Sequence, residues 1–161
     1  MAPASPGSLL LSRWNRLRTV PGGARIFALL LSRMVPYSGT VHPVVLELRA
    51  GFARVRIHDR RRVRNHLRSV HAMALANLGE LASGLALTTA LPADRRAILT
   101  GFSISYVKKA RGTLVAEGSV DAGAIADGTC DVVATIHDRA GDAVARVQAH
   151  WLVSAVPRRD G

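Results

Sequence analysis

The sequence contains a single cysteine, Cys130, among 161 residues. A disulfide framework and a multi-cysteine zinc site are therefore excluded. A lone thiol fits a reducing, cytoplasmic setting. Aromatic residues make up only 4%, so a core has to be built from Ala, Leu, Val and Ile. No apolar run approaches the roughly 18 residues that span a bilayer. The longest, Leu9–Leu11 and Ile26–Leu31, end at Ser or Arg. The N-terminus lacks the early positive charge and long apolar stretch of a secretory signal. Acidic residues are scarce in the first part of the chain. Residues 1–68 hold 13 Arg or Lys against Glu47 and Asp59, a net +11, whereas residues 69–161 hold nine of each sign. Lysine is scarce as well, with 2 Lys against 20 Arg. A GC-rich, bacterial-type genome produces that bias, and the planar guanidinium also suits phosphate. Arg13, Arg16 and Arg18, with several serines and no acid over residues 1–20, resemble a mitochondrial transit peptide in composition, but the segment reads on into further structure.

What remains is a chain of single-domain length, long enough to bury roughly 68–70% of its unfolded surface. With 48% hydrophobic residues it is not a disordered chain. Residues 1–7 are small and Pro-rich and predict disorder. Ser8 to Val20 reads as a helix stopped by Pro21-Gly22-Gly23, and Ala24 to Val35 as a second, ended by Pro36-Tyr37-Ser38-Gly39. Val44–Arg49 and Phe52–His58 alternate apolar and polar residues around Ala50-Gly51, which predicts a hairpin. Ser69 to Thr88 is the main helix, with Ser69 as N-cap and apolar residues almost all round, so it should be buried. Four strands follow near 97–107, 112–121, 130–138 and 142–155. Runs of strands around one long helix predict an α+β domain, an antiparallel sheet wrapped on that helix. The expected organisation is a helical extension over 8–39, the main domain over 40–156 and a short tail over 157–161.

Glu80 is the only acid between Asp59 and Asp94, and it lies on the helix that otherwise looks like core. A buried, unpaired carboxylate is unfavourable. Either Glu80 pairs with an arginine of the basic half, or it faces a cleft with a raised pKa, which suits a general base. Asn65 and His71 lie before and at the helix start, where free N–H groups and the helix dipole can hold a carbonyl oxygen or oxyanion. Taken alone, Asn65 also fits a turn and His71 a cap. No Walker, Rossmann or zinc-ligand pattern is present, and His137 and His150 are isolated, so no metal is assigned.

The spacing Asn65, His71, Glu80 resembles the motif of hotdog-fold acyl-CoA thioesterases of the phenylacetyl-CoA-pathway and 4-hydroxybenzoyl-CoA type. In these, an Asn is followed after five residues by His-Gly-Gly and then, nine residues past the His, by Asp or Glu. Ile104–Val107 with Lys108-Lys109-Ala110-Arg111-Gly112, and Ala143–Arg146 before the last strand, are also similar to that family. The resemblance spans about residues 40–155. The lead-in Pro36–Thr40 and the stretch Asn77-Leu78-Gly79-Glu80 resemble more closely a hotdog subfamily of unassigned function.

The resemblance implies a hotdog fold that hydrolyses acyl-CoA or acyl-carrier thioesters, with coenzyme A as part of the substrate and no separate cofactor. It implies Glu80 as base or nucleophile, Asn65 as orienter, the Ala72 N–H as oxyanion donor and His71 as its support. Ala72 and Glu80 stand about 12 Å apart along one helix, so one site would need them from two chains. The expectation is an obligate homodimer, or a dimer of such dimers. Arg62, Arg64, Lys108, Lys109 and Arg111 are candidates for the phosphates of coenzyme A. Met73, Leu99 and Phe102 are candidates for an acyl pocket or for core. His71-Ala72-Met73 replaces His-Gly-Gly, which motivates an alternative, a non-catalytic protein that binds acyl thioesters. A third reading, nucleic-acid binding, rests on seven arginines from Arg54 to Arg68, although aromatics for base stacking are missing there. Residues 8–35 suit packing across the sheet or the dimer, or lying on a membrane surface.

Overall fold

In the computed structural model, residues 5–157 are described. Three helices lead the chain: α1 (Pro6–Leu17), α2 (Gly23–Met34) and the single turn α3 (Pro36–Gly39). The hairpin β1 (Val44–Arg49) and β2 (Phe52–His58) precedes α4 (Ala72–Ala90). Strands β3 (Arg95–Tyr106), β4 (Thr113–Ser119), β5 (Gly128–His137) and β6 (Ala143–Ala155) complete the chain. All six strands form one sheet in the order β1-β2-β4-β5-β6-β3, and every neighbouring pair is antiparallel. The sheet wraps α4 in the hotdog arrangement.

Alternation decides which side of each strand meets the helix. Ala53, Val55 and Ile57 of β2 are fully buried, and Arg54, Arg56 and His58 take the other face. Leu114 and Ala116 of β4 and Val132, Ala134 and Ile136 of β5 continue that inner layer. Because α4 is apolar on all sides, the sheet alone cannot cover it. The lead helices cover what remains: α1 and α3 both pack on α4, and α2 packs on β1. Trp14 of α1 meets Phe27 of α2 edge to face, with ring centroids 5.2 Å apart.

Two glycines set how closely sheet and helix approach. A Cβ at Gly118 on β4 would stand 2.4 Å from the Ala82 carbonyl oxygen, and one at Gly79 on α4 2.5 Å from Val147 Cγ2. At Gly118 the obstacle is backbone, which cannot rotate away. Gly118→Ala is expected to lower stability by about 1–3 kcal/mol, read as a lower urea midpoint.

Several boundaries differ from expectation for tertiary reasons. Helix α4 begins at Ala72, not Ser69, and its N-cap is His71, whose Nδ1 accepts the Met73 N–H at 3.0 Å. Ser69 is not the cap because its hydroxyl donates to the Ala110 carbonyl at 2.9 Å, and Val70 bridges to Arg64 as a short piece of sheet. The helix runs on to Ala90, where the Thr89 hydroxyl reaches the Arg49 carbonyl at 3.0 Å. Helix α1 starts at Pro6, inside the stretch expected to be disordered, because Ser5 caps it by accepting the Ser8 N–H. The expectations for residues 1–4 and 158–161 lie outside the described residues. Among the described residues, no helix is long and apolar enough to cross a membrane.

Candidate functional site

A cleft of about 620 Å3 lies where three distant segments meet: Met34–Ser38 at the end of the lead helices, one face of α4, and Leu99 and Phe102 of β3. The α4 face presents Met73, Ala76, Asn77 and Glu80, spaced at 3, 4 and 7 residues from Met73, as one helical face requires. Met73, Leu99 and Phe102, candidates for acyl pocket or core, line this cleft. Glu80 is half-buried, and burial pushes its carboxyl above the ordinary glutamate range. It joins none of the ion pairs among the described residues. Of the two readings of Glu80, pairing with an arginine or facing a cleft, this geometry supports the second. Gly84, one turn on, leaves room beside it. A Cβ there would stand 3.2 Å from Trp151 Cη2 and 3.9 Å from Glu80 Oε1.

The groups at the helix start face elsewhere. The Asn65 Oδ1 accepts the N–H groups of Leu67 and Ser69 at 3.0 and 3.1 Å and closes a tight turn in which Arg68 takes φ +54. Its carbonyl is thus committed to the turn, and the amide nitrogen is what it can offer a ligand. The capping bond of His71 uses Nδ1 as acceptor, which leaves the proton on Nε2. Ala72 stands at the first position of α4, and its carbonyl accepts from the Tyr106 hydroxyl at 3.2 Å. Asn65 and Ala72 share a second cleft of about 280 Å3 with Lys108 and Lys109, and His71 lines a third with Arg62 and Arg64. Within one chain, then, Glu80 and Ala72 are not brought together.

The basic candidates divide by partner. Lys108 bridges Asp138 and Asp142 at 2.7 Å each, which raises its pKa. Arg64 donates to Asp59. Burial pushes the Asp59 carboxyl up, but the Arg64 bond and the Gly112 N–H outweigh it and hold it below the usual range. These two cations serve loop structure. Arg62, Lys109 and Arg111 make no ion pair among the described residues and are exposed. Arg54, counted in the basic stretch, stands 3.9 Å from both Glu47 and Glu117 on the outer sheet face. The described residues hold no group of three His, Cys, Asp or Glu placed to bind a metal ion.

A family model described as a domain of unknown function, DUF4442, matches residues 23–153. The chain belongs to the DUF4442 family. Among solved structures, a structural-genomics protein superposes with a TM-score of 0.77 at 29% identity, over 92% of this chain and 99% of its own. A Pseudomonas aeruginosa protein of unknown function, described as a probable thioesterase, gives 0.70 at 20% identity, over 97% and 100%. A thioesterase family protein from Silicibacter pomeroyi gives 0.70 at 15% identity, over 80% and 96%. At such identities the last two show a shared fold. None of the curated proteins matches the sequence. The DUF4442 match begins at Gly23, so it takes in α2 and the Met34–Ser38 wall of the cleft and leaves α1 before it.

Asn77 is the residue of this DUF4442 site to which sequence reasoning gave no role. It is 8% exposed and lines the Glu80 cleft one helical turn before Glu80. Its Nδ2 donates to the Tyr37 carbonyl at 3.2 Å, and its Oδ1 is buried with no hydrogen-bond partner among the described residues. That bond ties α4 to α3 and fixes the cleft wall. An amide on a helix made mostly of Ala, Leu and Gly was the available signal, but its partner lies 40 residues away.

Proposed function

We propose that this chain hydrolyses acyl-CoA or acyl-carrier thioesters at a site shared by two copies. The observation that carries the reading is Glu80, a half-buried carboxylate of raised pKa without a cationic partner among the described residues, on the wall of a mostly apolar cleft. The fold shared with proteins described as thioesterases agrees with it. The apolar walls suit an acyl chain. In its ionised form Glu80 takes a proton from the attacking water or itself attacks the carbonyl. The Ala72 N–H, at the positive end of α4, holds the developing oxyanion. Asn65 orients water or the thioester carbonyl through its amide nitrogen, and His71 holds the turn. Arg62, Lys109 and Arg111 take the phosphates of coenzyme A, with Arg64 and Lys108 bracing their loops.

Because Ala72 and Glu80 lie in different clefts, the oxyanion donor at each Glu80 comes from a second copy. The free edge of β3 supports this arrangement. It is 12 residues long, pairs among the described residues only with β6, carries Ile98 half-exposed and supplies Leu99 and Phe102 to the cleft. A long unpaired edge beside apolar surface favours strand pairing with another chain. The protein is expected to run as a dimer at all working concentrations in sedimentation. The single free thiol suits the cytoplasm.

The test is thiol release from short, long and aromatic acyl-CoAs. Asn77→Ala is expected to lower kcat/KM about tenfold through the loosened cleft wall, the scale of one hydrogen bond. A second reading rests on Met73, which is 56% exposed in the cleft where the enzymes it resembles carry glycine. Under that reading the protein binds acyl thioesters without cleaving them. An acyl-CoA that raises the melting temperature while no thiol is released would select it.

A further inference from the structure

We propose that the outer face of α1 and α2 is a docking surface for an anionic lipid membrane. The described chain carries no acid before Glu47. Arg13, Arg16, Arg18, Arg25 and Arg33 all lie on or beside α1 and α2, are exposed, and make no ion pair among the described residues. Helix α2 is apolar on two sides. Phe27 and Leu31 are buried beneath it. Ile26, Leu30 and Met34, four residues apart, form a second row facing outward, with Leu29 and Arg33 beside it. Ile26, Leu29 and Met34 are 48, 55 and 53% exposed.

Aliphatic side chains interleaved with arginines match the boundary of a bilayer. The aliphatic groups enter the acyl margin while the guanidinium groups stay with the headgroup phosphates. A second copy of the same face does not fit, because it would set five unpaired arginines against five more. A nucleic acid satisfies the arginines but gives Ile26, Leu29 and Leu30 nothing to bury against. The outer row leads to the Glu80 cleft, since Met34 belongs to both and Tyr37, 74% exposed, stands at the cleft wall. Docking would therefore bring the cleft close to the lipid.

The experiment is co-sedimentation of the full-length protein with vesicles of phosphatidylcholine alone and of phosphatidylcholine with phosphatidylglycerol. Binding is expected to the mixed vesicles only and to fall as salt rises. Arg25→Gln with Arg33→Gln is expected to weaken it about 30-fold, from the loss of two surface-bound charges. Ile26→Ser with Leu30→Ser is expected to weaken it about tenfold at unchanged charge. Arg139→Gln, on the β5–β6 turn, is expected to bind as the unaltered protein does. All these positions are exposed, and circular dichroism checks that each variant is folded; Leu29→Ser serves if the double variant is not. No binding, or equal binding to both vesicles, overturns the proposal. So does unchanged binding by the Ile26 and Leu30 variant, which marks a general polyanion surface. Dissociation of the oligomer in that variant overturns it in favour of a second copy. The readout uses no thioester, so an inactive enzyme leaves it standing.

Discussion

Replacing Glu80 with glutamine is expected to abolish thiol release from acyl-CoA while raising the melting temperature at neutral pH. The loss follows from the role proposed for the carboxylate: a general base contributes about 100- to 10,000-fold, and an amide cannot take the proton. Glu80→Ala should lose as much and keep the dimer. The gain in stability follows from burial. A carboxyl whose pKa is raised in the folded state binds its proton more tightly folded than unfolded. The folded state therefore loses stability as pH rises from the ordinary glutamate value through the raised one. Glutamine escapes that loss, so its advantage is present at neutral pH and fades below the ordinary glutamate value. Partial exposure of Glu80 limits its size. Turnover by the unaltered protein depends on pH in the opposite sense and declines as pH falls through the raised pKa. Unchanged thiol release in Glu80→Gln would sink the assignment. A lowered melting temperature would show that the partner subunit supplies a cation to Glu80.

Phe27→Ala is expected to lower the stability of the whole domain by about 3–5 kcal/mol. Phe27 is 2% exposed, packs edge to face on Trp14 and belongs to the same buried cluster as Leu78, Ile57 and Leu114 around α4. A domain that unfolds in one step passes the loss on to every probe. Urea unfolding followed by tryptophan fluorescence and by far-ultraviolet circular dichroism should give one shared, lowered midpoint. Two separated transitions would instead show that the lead helices melt as an appendage. The observation that motivates the single transition is that α4, apolar all round, needs α1 and α3 for cover.

Much of the fold was readable from local pattern. The hairpin over 44–58 followed from the alternation of β2 and from Ala50-Gly51, where Gly51 takes φ +74, whereas in β1 a register shift between Val45 and Glu47 buries Val45 and Leu48 in place of an alternating set. The long central helix followed from its lack of Pro and its apolar surface. The candidate site was readable in part. Glu80 stood out as the one acid in an apolar stretch, and the spacing of Asn65, His71 and Glu80 pointed to the hotdog fold. The cap was misplaced because Ser69 and His71 are both reasonable N-caps locally, and the choice is made by Ala110, which takes the Ser69 hydroxyl. Lys108 read as a candidate for the phosphates of coenzyme A, and nothing near it in sequence shows that Asp138 and Asp142 will flank it. Asn77 drew no role because Tyr37 reaches it only through the fold.

Sequence periodicity and composition by themselves determined the kind and order of the elements, the burial of α4 and the concentration of positive charge before residue 69. Those properties depend on neighbours within a turn or two of chain, where the patterns of helix and strand are written. Only the tertiary structure decided which polar groups are satisfied and which remain available. It spent Lys108 and Arg64 on nearby carboxylates, left Glu80 without a cation among the described residues, and built the cleft from residues 34–38, α4 and β3. Pairing and cavity formation join residues tens of positions apart, and no local pattern carries them.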